Sequence, residues 1–228
     1  MTPRFEQMIS GVLAVSAVAI AGAVVYRQVA PTPPAPPVGA PITLSYVDEW
    51  PDLLHSGRQI AFPDAPVQIV EFIDLECPGC RIFAQTLDRV LKSYDGQVGA
   101  VLVHYPLEMH PHARQAARAA ECAIADGKFA ELVTIILQHR DSLQLDQWVS
   151  YAVEAGLRDT VSFRRCQTDT TSVEAIERGI AAGTRVGIRA TPTVIVSGWR
   201  FSTVPIEREL RQTIDEILDG KTPSLPVR

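Results

Sequence analysis

Apolar residues are spread along this chain in three distinct patterns. From Ile9 to Tyr26 no position is charged. Such a run is about the length that crosses the hydrocarbon core of a bilayer as a helix. Arg4 and Arg27 bracket it, and Tyr26 suits a membrane interface. We expect a short N-terminal segment over 1–8 and an uncleaved transmembrane signal-anchor helix over 9–26. A signal peptide cleaved near Ala19-Ile20-Ala21 is the alternative. The proline-rich stretch "APTPPAPPVGAP" then predicts an extended linker over 27–41.

From Ile42 onward apolar and polar positions alternate as in a globular domain. The apolar, β-branched segment Val67–Ile73, interrupted only by Gln68 and Glu71, predicts a buried strand. Pro78 then opens a helix, where its missing N–H costs nothing. That helix places Ile82, Phe83, Leu87, Val90 and Leu91 on one face and stops near Asp95-Gly96. Val98–Tyr105 reads as a second strand, so the three elements make a right-handed parallel crossover. Strand signals then cease. Over about 107–186 the periodicity is helical, punctuated by Gly127, Gly156 and Gly187. "TPTVIVSGWRFS" returns to strand, with Ser197-Gly198 as a hairpin turn, and an amphipathic helix runs from about Pro205 to Leu218. The fold class is α/β, with a helical insertion between a βαβ unit and a C-terminal ββα unit.

Composition adds mainly exclusions. A net charge of −5 and a pI near 5.5, with no basic stripe, give no footprint for nucleic acid. Four cysteines among 228 residues are too few for a disulfide-built scaffold.

The chemistry lies in Cys77-Pro78-Gly79-Cys80. Free N–H groups and the macrodipole at a helix N-terminus stabilise an anion, which lowers the pKa of a Cys77 thiol placed there. Cys80 follows by one turn, close enough to resolve a mixed disulfide. A metal site and an inert clip remain as alternatives for the pair. The segments "EFIDLECPGC", "HYPL", "AARAAECAIADGKF" and "ATPTVIV" resemble, in order, those of the DsbA-like branch of the thioredoxin superfamily, over about residues 60–220.

The resemblance implies a thioredoxin-like fold with Cys77 as exposed nucleophile and Cys80 as buried resolving thiol. It also implies that Thr191-Pro192 is a cis-proline element that binds substrate chain, and that Glu71 is a buried proton acceptor tuning Cys80. Without it, Pro192 is a strand-initiating proline and Glu71 a strand-edge carboxylate. Asp74 and Glu76 read as solvated charges opposing thiolate formation slightly. The strongest oxidases of the family resemble a Cys-Pro-His-Cys pattern, whereas Gly79 offers only its N–H, so we expect a less oxidising pair here.

Cys122 and Cys166 are either buried free thiols or a structural disulfide, and we expect the disulfide. A zinc site joining Cys77 and Cys80 to two of His104, His110 and His112 is conceivable, but solvated or capping histidines fit better, and we expect no metal. Trp148 and Trp199 read as packing residues, and Arg164-Arg165 as a solvated helix face.

The expectation is a single-pass protein of the cell membrane with its thiol:disulfide oxidoreductase domain on the periplasmic side, or a secreted one if the N-terminal helix is cleaved. It needs no dissociable cofactor. Its partners are cysteine-containing exported proteins, a redox recycler acting in trans, and the cytoplasmic membrane through the N-terminal helix. The direction of exchange stays open. A metal-binding protein and a non-catalytic peptide-binding or chaperone module are the rivals.

Overall fold

A computed structural model describes residues 42–143 and 147–225. The expected anchor over 9–26 and linker over 27–41 lie outside the described residues. Among the described residues, no helix is long and apolar enough to cross a membrane.

Two strands form the centre, β3 (Val67–Ile73) and β4 (Val98–His104), and all seven residues of each are buried. Both faces of this part of the sheet are covered, which is why apolar residues dominate both strands, with Gln68, Glu71 and His104 as the buried polar exceptions. They pair in parallel from Val67 opposite Val98 to Ile73 opposite His104, joined by helix α2 (Pro78–Ser93). On the other side of β3 runs β5 (Thr193–Val196), antiparallel, which turns into β6 (Trp199–Phe201). Ser197 and Gly198 make that turn with φ of 44° and 94°, the left-handed pair a two-residue hairpin demands. At Gly198 a Cβ would also lie 2.4 Å from the Tyr46 ring, so no side chain fits.

Three elements upstream of β3 were not anticipated. Strand β1 (Leu44–Tyr46) pairs with β6, and β2 (Arg58–Ala61) pairs with β4, both antiparallel. Between them lies a short helix, α1 (Trp50–Leu54). The six strands thus run β1-β6-β5-β3-β4-β2.

The insertion consists of α3 (Ala113–Cys122), α4 (Phe129–His139), α5 (Trp148–Glu154), α6 (Thr160–Thr168) and α7 (Glu174–Arg185). Helix α8 (Glu207–Leu218) closes the chain, and Glu209 Oε2 accepts the Ile206 N–H at 3.1 Å to cap it. A disulfide joins Cys122 at the end of α3 to Cys166 in α6, with Cα atoms 5.8 Å apart. Helix α7 packs so closely on β4 that a Cβ on Gly179 would fall 2.4 Å from the His104 carbonyl oxygen.

Alternate residues of β3 feed separate cores. Val70 and Phe72 pack with Val101, Val103, Ala182 and Ile195 on one face. Val67, Ile69 and Ile73 pack with Phe83, Leu87 and Val90 of α2 on the other. Each such side chain contributes roughly 1.5–3 kcal/mol on burial. Ile82 departs from the expected buried face of α2, being 64% exposed. The covered positions are Cys80, Phe83, Leu87 and Val90, and Ile82 lies about a quarter turn off that stripe. Trp148 is buried, Trp199 is half-buried with its ring edge-on to Tyr46, and Arg164 and Arg165 are exposed.

Candidate active site

The chain leaves β3 at Ile73, crosses one tight turn and enters α2 at Pro78. The Cys77 N–H donates to the Asp74 carbonyl at 3.1 Å, closing that turn. Cys77 is thereby the residue just before the helix, with extended backbone (φ −74°, ψ 128°), and Pro78 takes the first helical position. One turn in, Cys80 points back at the same turn, and the Asp74 N–H donates to its Sγ at 3.4 Å.

Opposite lies the segment before β5, where the Thr191–Pro192 bond is cis. The Cys77 thiol donates to the Thr191 carbonyl at 3.1 Å. This contact corrects the expected exposure of Cys77, which is only 6% accessible, while Cys80 is fully covered. Gly79 permits the approach, because a Cβ there would stand 3.0 Å from Pro192 Cδ and 3.7 Å from Cys77 Sγ.

The thiols are driven in opposite directions. A hydrogen bond from the Cys80 thiol is the main cause that brings Cys77 down to about 5. Burial opposes that shift, while the Thr191 side chain and the backbone N–H groups of Cys80 and Gly79 reinforce it. Burial pushes the Cys80 thiol well up, with the neighbouring Cys77 and Glu71 adding to it and the Asp74 N–H opposing.

Glu71 shares the α2 face of β3 and is 1% exposed. Neither carboxyl oxygen has a hydrogen-bond partner among the described residues. Burial, helped by negative charge on Cys77, holds this carboxyl well above its usual range. It is an acid that stays protonated where ordinary carboxyls ionise, electrostatically coupled to both thiols.

Asp74 and Glu76 differ from the solvated charges read in the sequence. The Asp74 side chain is entirely covered, and its carboxylate accepts from Glu76 N–H, Leu107 N–H and His110 Nδ1, each at 2.8 Å. Glu76 is half-buried and accepts the His112 N–H at 2.7 Å. His104 is likewise buried, with Nε2 3.2 Å from Glu121 Oε1, on the carboxylate that also receives Arg58. The histidines therefore do not converge on the dithiol. Among the described residues, no group of three or more His, Cys, Asp and Glu is placed to hold a metal ion. Sequence reasoning missed Asp74 and His110, whose one signal was the pair of histidines in "HPH" after β4.

Residues 56–216 match the sequence profile of the family described as thioredoxin. The chain is 32% identical over 210 residues to a protein named Na+/H+ antiporter NhaA 1 of Mycolicibacterium gilvum, covering 86% of this chain and 31% of that one. It is 33% identical over 211 residues to the like-named protein of Mycolicibacterium vanbaalenii, again covering 86% and 31%. The chain thus spans about a third of the length of these curated relatives. Among solved structures it resembles oxidised BdbD of Bacillus subtilis, with a TM-score of 0.66 at 20% identity over 73% of this chain and 95% of that one. It also resembles DsbA2 of Pseudomonas aeruginosa, with a TM-score of 0.56 at 26% identity over 70% and 92%.

Proposed function

The chain belongs to the thioredoxin family, in its DsbA-like branch, and from that premise we propose that it exchanges disulfides with exported proteins through Cys77 and Cys80. The observation that carries the reading is the opposed pair of thiols: one brought down to about 5 beside Thr191, the other pushed up beneath it. In the reducing direction the Cys77 thiolate attacks a substrate disulfide, and the first substrate sulfur leaves as a thiolate. Cys80 then gives up its proton and attacks Cys77, forming the Cys77–Cys80 disulfide and releasing the second sulfur. Two electrons pass to the substrate. The oxidising direction is the reverse, with Cys80 as leaving thiolate.

Glu71 in its ionised form takes the Cys80 proton, and in the oxidising direction the protonated carboxyl returns it to the leaving Cys80 thiolate, while Thr191-Pro192 holds the substrate chain across the dithiol. The apolar run over 9–26 and the linker over 27–41 tether the domain to the cytoplasmic membrane on its outer side. The antiporter relatives, in which the matched region is part of a much longer chain, support a membrane setting. A separate recycler restores the dithiol or disulfide after each turnover. With Gly79 in place of a histidine, the pair is less oxidising than the strongest oxidases of the branch.

Equilibration of the purified chain against glutathione buffers tests the reading. We expect reversible exchange at a defined potential, and Cys80→Ser to trap mixed disulfides that Cys77→Ser does not. A pair that never exchanges at any glutathione ratio refutes redox chemistry. Full activity in Cys77→Ser would point instead to a peptide-binding module.

A further inference from the structure

We infer that His110, on the loop after β4, is a positioning residue for the resolving cysteine, acting through the Asp74 carboxylate that it holds. The inference rests on the exchange reading and adds a residue to it.

Asp74 touches both cysteines through its backbone. Its carbonyl receives the Cys77 N–H at 3.1 Å, and its own N–H points at Cys80 Sγ at 3.4 Å. The two peptide units that flank the Asp74 Cα therefore face one cysteine each, so the placement of this residue bears on nucleophile and resolver alike. Three donors fix the side chain: Glu76 N–H from within the turn, and Leu107 N–H and His110 Nδ1 from a loop more than 30 residues away. The two amides are backbone groups, which leaves His110 as the side chain among the three. A carboxylate only accepts, so Nδ1 is the protonated ring nitrogen.

The ring is 18% exposed while the Asp74 side chain is fully covered, so His110 closes the solvent side of this anchor. The same loop is pinned once more by the His112 N–H on Glu76. In either direction of exchange the Cys80 sulfur carries negative charge, as attacking thiolate or as leaving group. The Asp74 N–H is then the donor that meets it, and it opposes the effect of burial. A donor held at the place where charge develops stabilises it without reorganisation. Without the ring the Asp74 carboxylate keeps only its two amide donors, its hold on the loop loosens, and its N–H meets Cys80 less well. Cys77 keeps its own stabilisers from Thr191, Gly79 and Cys80.

Reaction of the reduced full-length chain with dithiobis(nitrobenzoate) separates the steps. Cys77 attacks the reagent and releases one thionitrobenzoate. Cys80 then loses its proton and attacks Cys77, releasing the second, so the dithiol is oxidised by two electrons and the reagent reduced. In His110→Ala we expect the first phase within about twofold of wild type and the second slowed about tenfold, the scale of one hydrogen bond to a charged group. His110→Asn, whose amide restores a donor to Asp74, recovers most of the second phase.

An unchanged second phase in His110→Ala overturns the inference. Equal slowing of both phases, unrescued by His110→Asn, also overturns it and leaves His110 a general support of the loop. Release of only one thionitrobenzoate by wild type refutes the exchange reading itself.

Discussion

A pH titration of the reduced chain puts the tuning of Cys77 to a quantitative test. The thiol is brought from an ordinary value near 9 to about 5, so folding favours its thiolate. This stabilisation of the reduced fold is complete above pH 9, shrinks as pH falls through the interval, and vanishes below about 5. At pH 7 two pH units of it remain, about 2.7 kcal/mol at most. The oxidised form has no thiolate and gains none of it, so the dithiol is preferred by that amount. For a two-electron couple this corresponds to about 60 mV towards a more oxidising potential than an unperturbed pair.

Thiolate pKa values near 7 and 3.5 accompany potentials near −270 and −120 mV in thioredoxin and DsbA, so a value of about 5 predicts roughly −200 mV here. Because only one proton accompanies two electrons once Cys77 is ionised, the potential should fall by about 30 mV per pH unit between pH 6 and 8, and by about 59 mV below pH 5. Glutathione equilibration across pH measures the slope, and ultraviolet absorbance of the thiolate gives the midpoint directly. A slope near 59 mV per unit through pH 7, with a midpoint above 8, would refute the tuning.

Further outcomes follow from other positions. Glu71 is unpenalised below its ordinary value near 4.5 and destabilises the fold as pH rises past it, so Glu71→Gln should flatten the loss of urea stability between pH 5 and 8 while slowing resolution of mixed disulfides. Gly179→Ala drives a Cβ into the His104 carbonyl and should lower stability by about 1–3 kcal/mol, read as a drop in Tm with the potential unchanged. Paired Cys122→Ser and Cys166→Ser opens a loop of 44 residues and should remove about 2–4 kcal/mol of denaturant stability, and non-reducing peptide mapping of wild type should recover the linked peptides.

The sheet centre was readable because burial on both faces leaves strands dominated by apolar residues, as in Val67–Ile73 apart from Gln68 and Glu71, and in Val98–Val103. Pro78 marked the start of α2, and Ser197-Gly198 marked the hairpin, since each meets a backbone requirement that few residues satisfy. Strands β1 and β2 carry no such mark. "LSY" is short and mostly exposed and "RQIA" short and half-covered, and only pairing with β6 and β4 makes them strands. The dithiol could be read from four adjacent residues. Asp74 could not, because two of its three donors arrive from 33 and 36 positions downstream, and a carboxylate without visible partners reads as solvated. Ile82 was misplaced because an apolar residue near the edge of a helical stripe satisfies the pattern from either side.

The margins of the sheet bear on how the fold avoids pairing with other chains. Its two outer strands are three and four residues long, and the register of β2 against β4 shifts between Gln59 and Ala61. Short, irregular margins offer incoming chains few backbone groups to template on, which guards against aggregation. The Thr191 carbonyl beside Cys77 lies at neither margin, so the place where the exchange reading docks a client is separate from the strands that discourage adhesion.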